Sequence, residues 1–379
     1  MSASTTRPQP QPPQPPAPAP GRKEARVAAP TPPADRRGPG RTRRTRLVVA
    51  TGASVVVVVL VSLVGVAAGS SSLGLGDVVR TLVGLGTPAQ ELIVVDLRLP
   101  RVAGALVVGA CLGLAGALTQ TFARNPLATP DILGVTSGAG LGAVSAIVLA
   151  GGSYAVTGGL LSVGVPVAAV VGALVTSVVV YGLSWRGGVD SYRLILVGIG
   201  ATATLTGLTT YMIARAQITE AAAATQWLVG SLSGISWASV WPALVVLAVI
   251  GPLAATQSSA LEVSQLGDDL STGLGVAVQR HRIVVLACAV LLTAAAVSAS
   301  GPLEFVAFVA PQLARRLTGT GRPPLLASAV TGAFIVVAAD LVTRAVLPSE
   351  VPVGILTAII GAPYLIWLLI RGRREDRSA

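Results

Sequence analysis

Apolar residues run through this chain in long unbroken stretches, parted by short polar segments. Ten such stretches can be drawn, at about 47–68, 102–123, 132–150, 160–183, 194–214, 241–256, 283–300, 303–314, 325–347 and 353–370. Most approach or exceed the roughly 18 apolar residues that carry a helix across a bilayer. The eighth is short and is interrupted by Pro311. Strands of a membrane barrel would instead give short alternating segments, so the pattern predicts an all-α membrane protein of about ten transmembrane helices. Gly109, Gly113 and Gly116 recur within one stretch, where small residues let helices approach closely.

Composition agrees with that pattern. Apolar residues make up 52% of the chain and charged residues 11%, and mean hydropathy is +0.75. A soluble domain carries about 25% charged residues, so a water-facing surface could not be covered. The net charge of +11 would point to nucleic acid in a soluble protein. Here the charge sits in loops and tails with no interleaved aromatics, and no nucleic-acid role is expected. Cys111 and Cys288 both fall in apolar stretches and read as small packing residues.

Residues 1–46 differ in character. Gln9 to Pro20 is rich in Pro, Gln and Ala, and the following segment is rich in Arg, ending on Arg41, Arg43, Arg44 and Arg46. Such a segment cannot form a packed core and is expected to be a disordered cytoplasmic tail. The run from Leu47 to Ala68 is too long, and its charged flank too extended, for a signal peptide. The domain plan is therefore a tail at 1–46, a transmembrane domain at 47–372 with a long inside loop at about 257–282, and a short tail at 373–379. With both termini inside, 22 of the 27 basic residues lie on cytoplasmic segments. Only Arg80, Arg98, Arg101, Arg215 and Arg344 lie outside, as the positive-inside rule requires.

Four segments fit no generic bundle. Leu97-Arg98-Leu99-Pro100-Arg101 leads into the second helix, and Arg124-Asn125-Pro126-Leu127-Ala128-Thr129-Pro130-Asp131-Ile132-Leu133-Gly134 follows it. Leu261 through Gln265-Leu266-Gly267-Asp268-Asp269 to Leu274-Gly275 fills the long inside loop. Gly301-Pro302, Pro311-Gln312, Ala339-Asp340 to Arg344, and Gly361-Ala362-Pro363 close the set. In order and spacing these segments resemble the FecCD-type permeases, the importers of ferric siderophores, haem and cobalamin. The resemblance covers about residues 70–372, and its wording is nearest the ferric-enterobactin permease branch.

The resemblance implies a cobalamin-importer-like permease bundle in the inner membrane. It implies a second permease subunit, identical or related, two cytoplasmic ATPase subunits, a periplasmic or lipoprotein binding protein, and a ferric chelate as substrate. Arg98, Arg101 and Arg344 match positions that receive acidic residues of the binding protein. Independently, outward arginines run against the charge rule, and guanidinium suits bidentate carboxylate recognition. Leu261, Leu266, Gly267, Asp268, Asp269, Leu274 and Gly275 match the family's ATPase-coupling helices, and an amphipathic pair of short helices with a Gly turn fits a partner groove. Helix breaks are expected at Asn125-Pro126, Gly301-Pro302, Pro311 and Gly361-Pro363, lining the pathway or packing inside protein. The gate is placed at Ser191 and Tyr192, although Tyr192 is bulkier than the small polar residue expected there. Gln312 stands where many relatives carry histidine.

The energy source must lie elsewhere. Lys23 is the only lysine and sits in the tail, whereas a phosphate-binding Walker loop needs one beside its glycines. No cofactor, no metal and no catalysis are expected of this chain, and ATP-Mg belongs to a partner. His281, the single histidine, lies between Arg280 and Arg282 and reads as solvent-facing. The competing reading is a proton-coupled secondary transporter, but apart from Glu304 and Asp340 near helix ends the stretches hold almost no acids. Which chelate is carried, whether siderophore, haem or cobalamin, is not legible in a lining of Gly, Ala, Thr and Val.

Overall fold

The computed structural model describes residues 39–68, 74–149, 160–186, 188, 191–347 and 351–375. The chain divides into two units, Met1–Pro39 and Gly40–Ala379, and the second holds the helical bundle. Most of the tail assigned to 1–46, and residues 376–379 of the C-terminal tail, lie outside the described residues.

The described chain is helical throughout. In order it forms α1 (Pro39–Ala67), α2 (Leu75–Leu82), α3 (Pro88–Glu91), a π-helical turn (Leu92–Arg98), α4 (Leu99–Phe122), a 3-10 turn (Pro130–Leu133), α5 (Val135–Leu149), α6 (Leu160–Ser184) and α7 (Ser191–Arg215). It continues through α8 (Ile218–Leu228), α9 (Trp237–Thr256), α10 (Ser258–Ser264), α11 (Asp268–Gly273), α12 (Val278–Ser300), α13 (Val306–Thr318), α14 (Leu325–Ala345) and α15 (Val353–Glu375). Thus α1 starts inside the segment that composition assigns to the tail. Among the described residues seven helices are long and apolar enough to cross a membrane. Of the three remaining stretches, two become the shorter helices α5 and α13, and the third is the apolar part, Val353–Leu368, of the 23-residue α15.

Local chemistry explains the starts and stops. Thr87 caps α3, accepting from Gln90 N at 3.4 Å while Gln90 Oε1 accepts from Thr87 N at 2.9 Å. Pro88 sits in the first turn of α3, where a missing N–H costs nothing, and Pro100 marks the junction at which the π-helical turn passes into α4. Helix α12 stops at Gly301 (φ 70°), where an added Cβ would stand 2.5 Å from the Trp227 carbonyl oxygen. Pro311 and Pro363, expected as breaks, instead lie inside α13 and α15, which run through them.

Two apolar cores share α12. One gathers α4, α9, α12, α13 and α14, and includes Val108, Leu118, Leu292 and Val336. The other gathers α5, α6, α7, α8 and α12, with Ile147, Leu194, Leu286 and Val290. Helix α4 is central, with 83% of its most apolar window buried, whereas α1 is peripheral, with 11%. Where α4 crosses α14, Gly113 faces the Ser328 backbone and Gly332, so the two main chains touch. Gly113→Val therefore forces the helices apart, at a cost of about 1–3 kcal/mol. The expected result is a lower melting temperature of the purified protein, while Gly52→Ala, with nothing within 4 Å of its Cβ, leaves it unchanged.

Candidate functional site

Arg98, Arg101 and Arg344 come together around the C-terminus of α1. Arg98 Nη1 donates to the Val66 and Ala67 carbonyls at 3.0 and 2.8 Å. Arg344 donates from Nη1 to Ala68 O and from Nη2 to Gly65 O, both at 3.2 Å. A helix C-terminus presents unpaired carbonyls and a partial negative charge, so two guanidinium groups are well matched to it. Asp340 of α14 then binds Arg101 Nε through Oδ1 at 2.8 Å and Arg344 Nη2 through Oδ2 at 2.8 Å. Its side chain is 1% exposed, and those of Arg101 and Arg344 are 13% and 8% exposed. The arginines in this structure face inward, towards α1 and Asp340. The Asp340–Arg344 half of this contact is an i,i+4 pair on α14 that spacing alone suggests, whereas no local pattern ties Asp340 to Arg101, 239 positions away.

At the other end of α4, roughly 36 Å away at 1.5 Å per residue, the α9–α12 connection folds as two short helices. Gly267 (φ 105°) and Gly275 (φ 83°) make the turns that an ordinary residue would resist. Charges tie the connection to the bundle. Asp268 binds Arg282 Nη2 at 2.7 Å and Arg124 Nη2 at 2.9 Å, and Glu262 binds Arg322. Gln265 Nε2 donates to the Thr121 carbonyl at 2.9 Å, fastening α10 to the last turn of α4. Leu261 is buried and belongs to the core rather than to a presented face. Leu266, Leu270 and Leu274, four apart, are 58%, 60% and 64% exposed and form an apolar ridge. Leu270 is the member that the motif reading passes over, though its spacing from the other two leucines is a signal that finds it.

Close by, a buried amide pair links α4 to α13. Gln312 Nε2 donates to Gln120 Oε1, and Gln120 Nε2 donates to Phe308 O at 3.0 Å. Gln312 Nε2 also approaches the Pro126 carbonyl at 3.3 Å, so the Asn125-Pro126 break is held to α13. Asn125 itself closes a turn, its Oδ1 accepting from Leu127 N at 2.9 Å. His281 is not solvent-facing: it is buried, with Nδ1 3.0 Å from Gln257 Oε1, because the first turn of α12 packs beneath the end of α9. Tyr192 is exposed in the first turn of α7, whereas the Ser191 side chain lies outside the described residues. Gly301 and Pro302 pack under α8 and its following turn, and Gly361 packs against Phe305, which enters α13 at φ 63°. Among the described residues no cluster of His, Cys, Asp and Glu could hold a metal ion.

Comparison with known proteins places these features in company. The model of the FecCD transport family matches residues 42–371. The ferric enterobactin transport system permease protein FepG of Escherichia coli is 38% identical over 312 residues, covering 82% of this chain and 92% of that one. The iron(3+)-hydroxamate import system permease protein FhuG of Bacillus subtilis is 37% identical and covers 77% and 88%. The cobalamin import system permease protein BtuC of Halobacterium salinarum is 38% identical and covers 75% of each chain. A solved structure of a metal-chelate type ABC transporter in an inward-facing conformation superposes with a TM-score of 0.75 at 27% identity, over 85% of this chain and 98% of that one.

Proposed function

The chain belongs to the FecCD transport family, and from that premise we propose that it is the membrane-spanning permease of an ATP-binding-cassette importer for a ferric siderophore. The observation that carries the substrate class is the match to ferric-siderophore permeases along nearly their whole length. The exposed Leu266–Leu270–Leu274 ridge, held in place by Asp268, Glu262 and Gln265, supports docking of a separate ATPase subunit. Its position at one end of α4, with the Arg98–Arg101–Arg344 cluster at the other, suits an inside motor and an outside delivery protein. The excess of arginine around the ridge end agrees with a cytoplasmic location for that end and for both termini.

Two permease subunits, two ATPase subunits and a binding protein complete the machine. ATP binding would shift the bundle between outward-open and inward-open populations. The acidic groups of a docking protein would compete with Asp340 and the α1 carbonyls for the three arginines, which makes docking and the packing of α1 two readings of one contact. A proton relay has little support from Asp340, whose charge is already matched by two arginines. Growth of a deletion strain on single iron sources tests the substrate class. Rescue by ferric siderophores is expected, and rescue by haem or cobalamin alone would overturn it. In the same strain, changing Arg98, Arg101 and Arg344 together to Glu should abolish uptake and binding-protein capture while the chain still inserts.

A further inference from the structure

Helix α1 is fastened at its two ends and stands clear in between. At one end Arg46 reaches the C-terminal carbonyls of α13, with Nε 3.4 Å from Leu317 O and Nη2 3.4 Å from Arg316 O. At the other end Arg98 and Arg344 hold the last carbonyls of α1. Between these clamps an apolar cavity of about 830 Å³ runs along α1, α4, α9 and α14, past Val59, Leu63, Leu106, Gly251, Ala329 and Val330. Ser62 alone among its lining residues has a polar side chain. A second cavity of about 610 Å³ neighbours the first: Leu325 lines the first and Pro324 the second, and Leu47 of α1 adds to the second one's wall. This second cavity is polar, with Arg44, Arg322, Glu262, Gln265 and Thr320 around it. Arg322 binds Glu262 through Nη2, yet its Nη1 is buried with no hydrogen-bond partner among the described residues. A buried guanidinium nitrogen left unpaired is costly unless an acceptor fills the place.

We propose that this paired cavity is a binding site for one anionic phospholipid of the bilayer, with its acyl chains along α1 and its phosphate between Arg44 and Arg322. Charge complementarity selects this occupant. Two guanidinium groups against one carboxylate leave the polar cavity net positive, and basic pockets between membrane helices hold anionic head groups. The apolar cavity falls within the volume range of ordinary ligand pockets and offers a chelate or peptide only the Ser62 hydroxyl as a polar side-chain contact. It lies between membrane-crossing helices, where acyl chains are the medium. The lipid would fill the gap that the end clamps leave and pair the orphan nitrogen of Arg322.

Purified full-length protein, stripped of lipid in detergent, is offered equimolar dioleoyl phosphatidylglycerol and dioleoyl phosphatidylcholine, and retained lipid is read by native mass spectrometry. One phosphatidylglycerol per chain is expected, preferred about tenfold or more. The Arg44→Gln, Arg322→Gln pair should lose the preference, and Arg322→Lys should keep most of it, separating charge from fold. Gly251→Leu fills the apolar cavity where only the Leu114 and Leu247 side chains come within 4 Å, and should lower retention of both lipids without lowering the melting temperature. Equal retention of the two lipids by the wild type, or an unchanged preference in the Gln pair, overturns the proposal. So does undiminished retention in Gly251→Leu, or glycerol phosphate without chains binding as tightly, which would mark a bare anion site.

Discussion

Replacing Leu270 and Leu274 together by Glu is expected to abolish ATP-driven uptake while leaving membrane insertion intact. The two side chains are 60% and 64% exposed and continue the line begun by Leu266. They stand beside Asp268 and Asp269 on a connection between spanning helices, a setting that suits water or an aqueous partner rather than acyl chains. Burying a leucine is worth about 1.5–3 kcal/mol, so the pair carries about 3–6 kcal/mol if both are covered by the partner. Two carboxylates in their place add a desolvation cost that no apolar groove can repay, so the affinity of the ATPase subunit should fall by more than a hundredfold. Co-purification of the ATPase and radiolabelled chelate uptake measure it together. The ion pairs of Asp268 and Glu262 lie on other faces and should survive, so the α10–α11 fold is kept. Normal uptake by the double variant would exclude this ridge as the coupling surface.

The second large effect is expected at Asp340. Its carboxylate is 1% exposed and is shared by Arg101 and Arg344. Removing one member of a buried ion pair leaves the other charge without compensation, at about 3–5 kcal/mol. Asp340→Ala should therefore lower the apparent melting temperature in detergent strongly, and with it the hold on the end of α1 through Arg344. Asp340→Asn should cost less, because an amide oxygen still accepts from one guanidinium. Adding Arg101→Leu to Asp340→Ala removes one of the two stranded cations and should recover part of the loss. An unaltered melting curve for Asp340→Ala would show that the arginines are satisfied without it.

The ten apolar stretches are readable because a bilayer imposes length and near-total apolarity on whatever crosses it. Their positions match the helices closely, including the weak eighth stretch, which becomes the 13-residue α13. The short elements outside the spans are less visible. Helices α2, α3 and α8 and the π-helical turn carry no long apolar run; the Thr87-Pro88-Ala89-Gln90 capping box announces α3, and Asp77 and Glu220, each three residues past an N-cap, are the slighter signals of α2 and α8. The prolines show why a local signal misleads. Pro311 and Pro363 break helices in water, but packed neighbours in a membrane bundle tolerate them. Long-range pairings are illegible for a simpler reason. Nothing local to Arg101 points to Asp340, nothing at Gln120 points to Gln312, and nothing at His281 tells of Gln257 at the end of the neighbouring helix. The arginines stand out by the side of the membrane that the charge count predicts for them, but where they point is a property of α1's end.

The sharing of α12 between two cores has a thermodynamic consequence. Leu292 belongs to one core and Leu286 and Val290 to the other, on the same 23-residue helix. Phe122, the last residue of α4, packs against both cores, so substitutions on α14 and on the rest of α4 should sum independently with those confined to α5 and α6. Substitutions on α12 should fail to sum with either. Epistasis in this chain would then be concentrated on α12 and Phe122, and sequence change elsewhere could proceed in two nearly separate compartments.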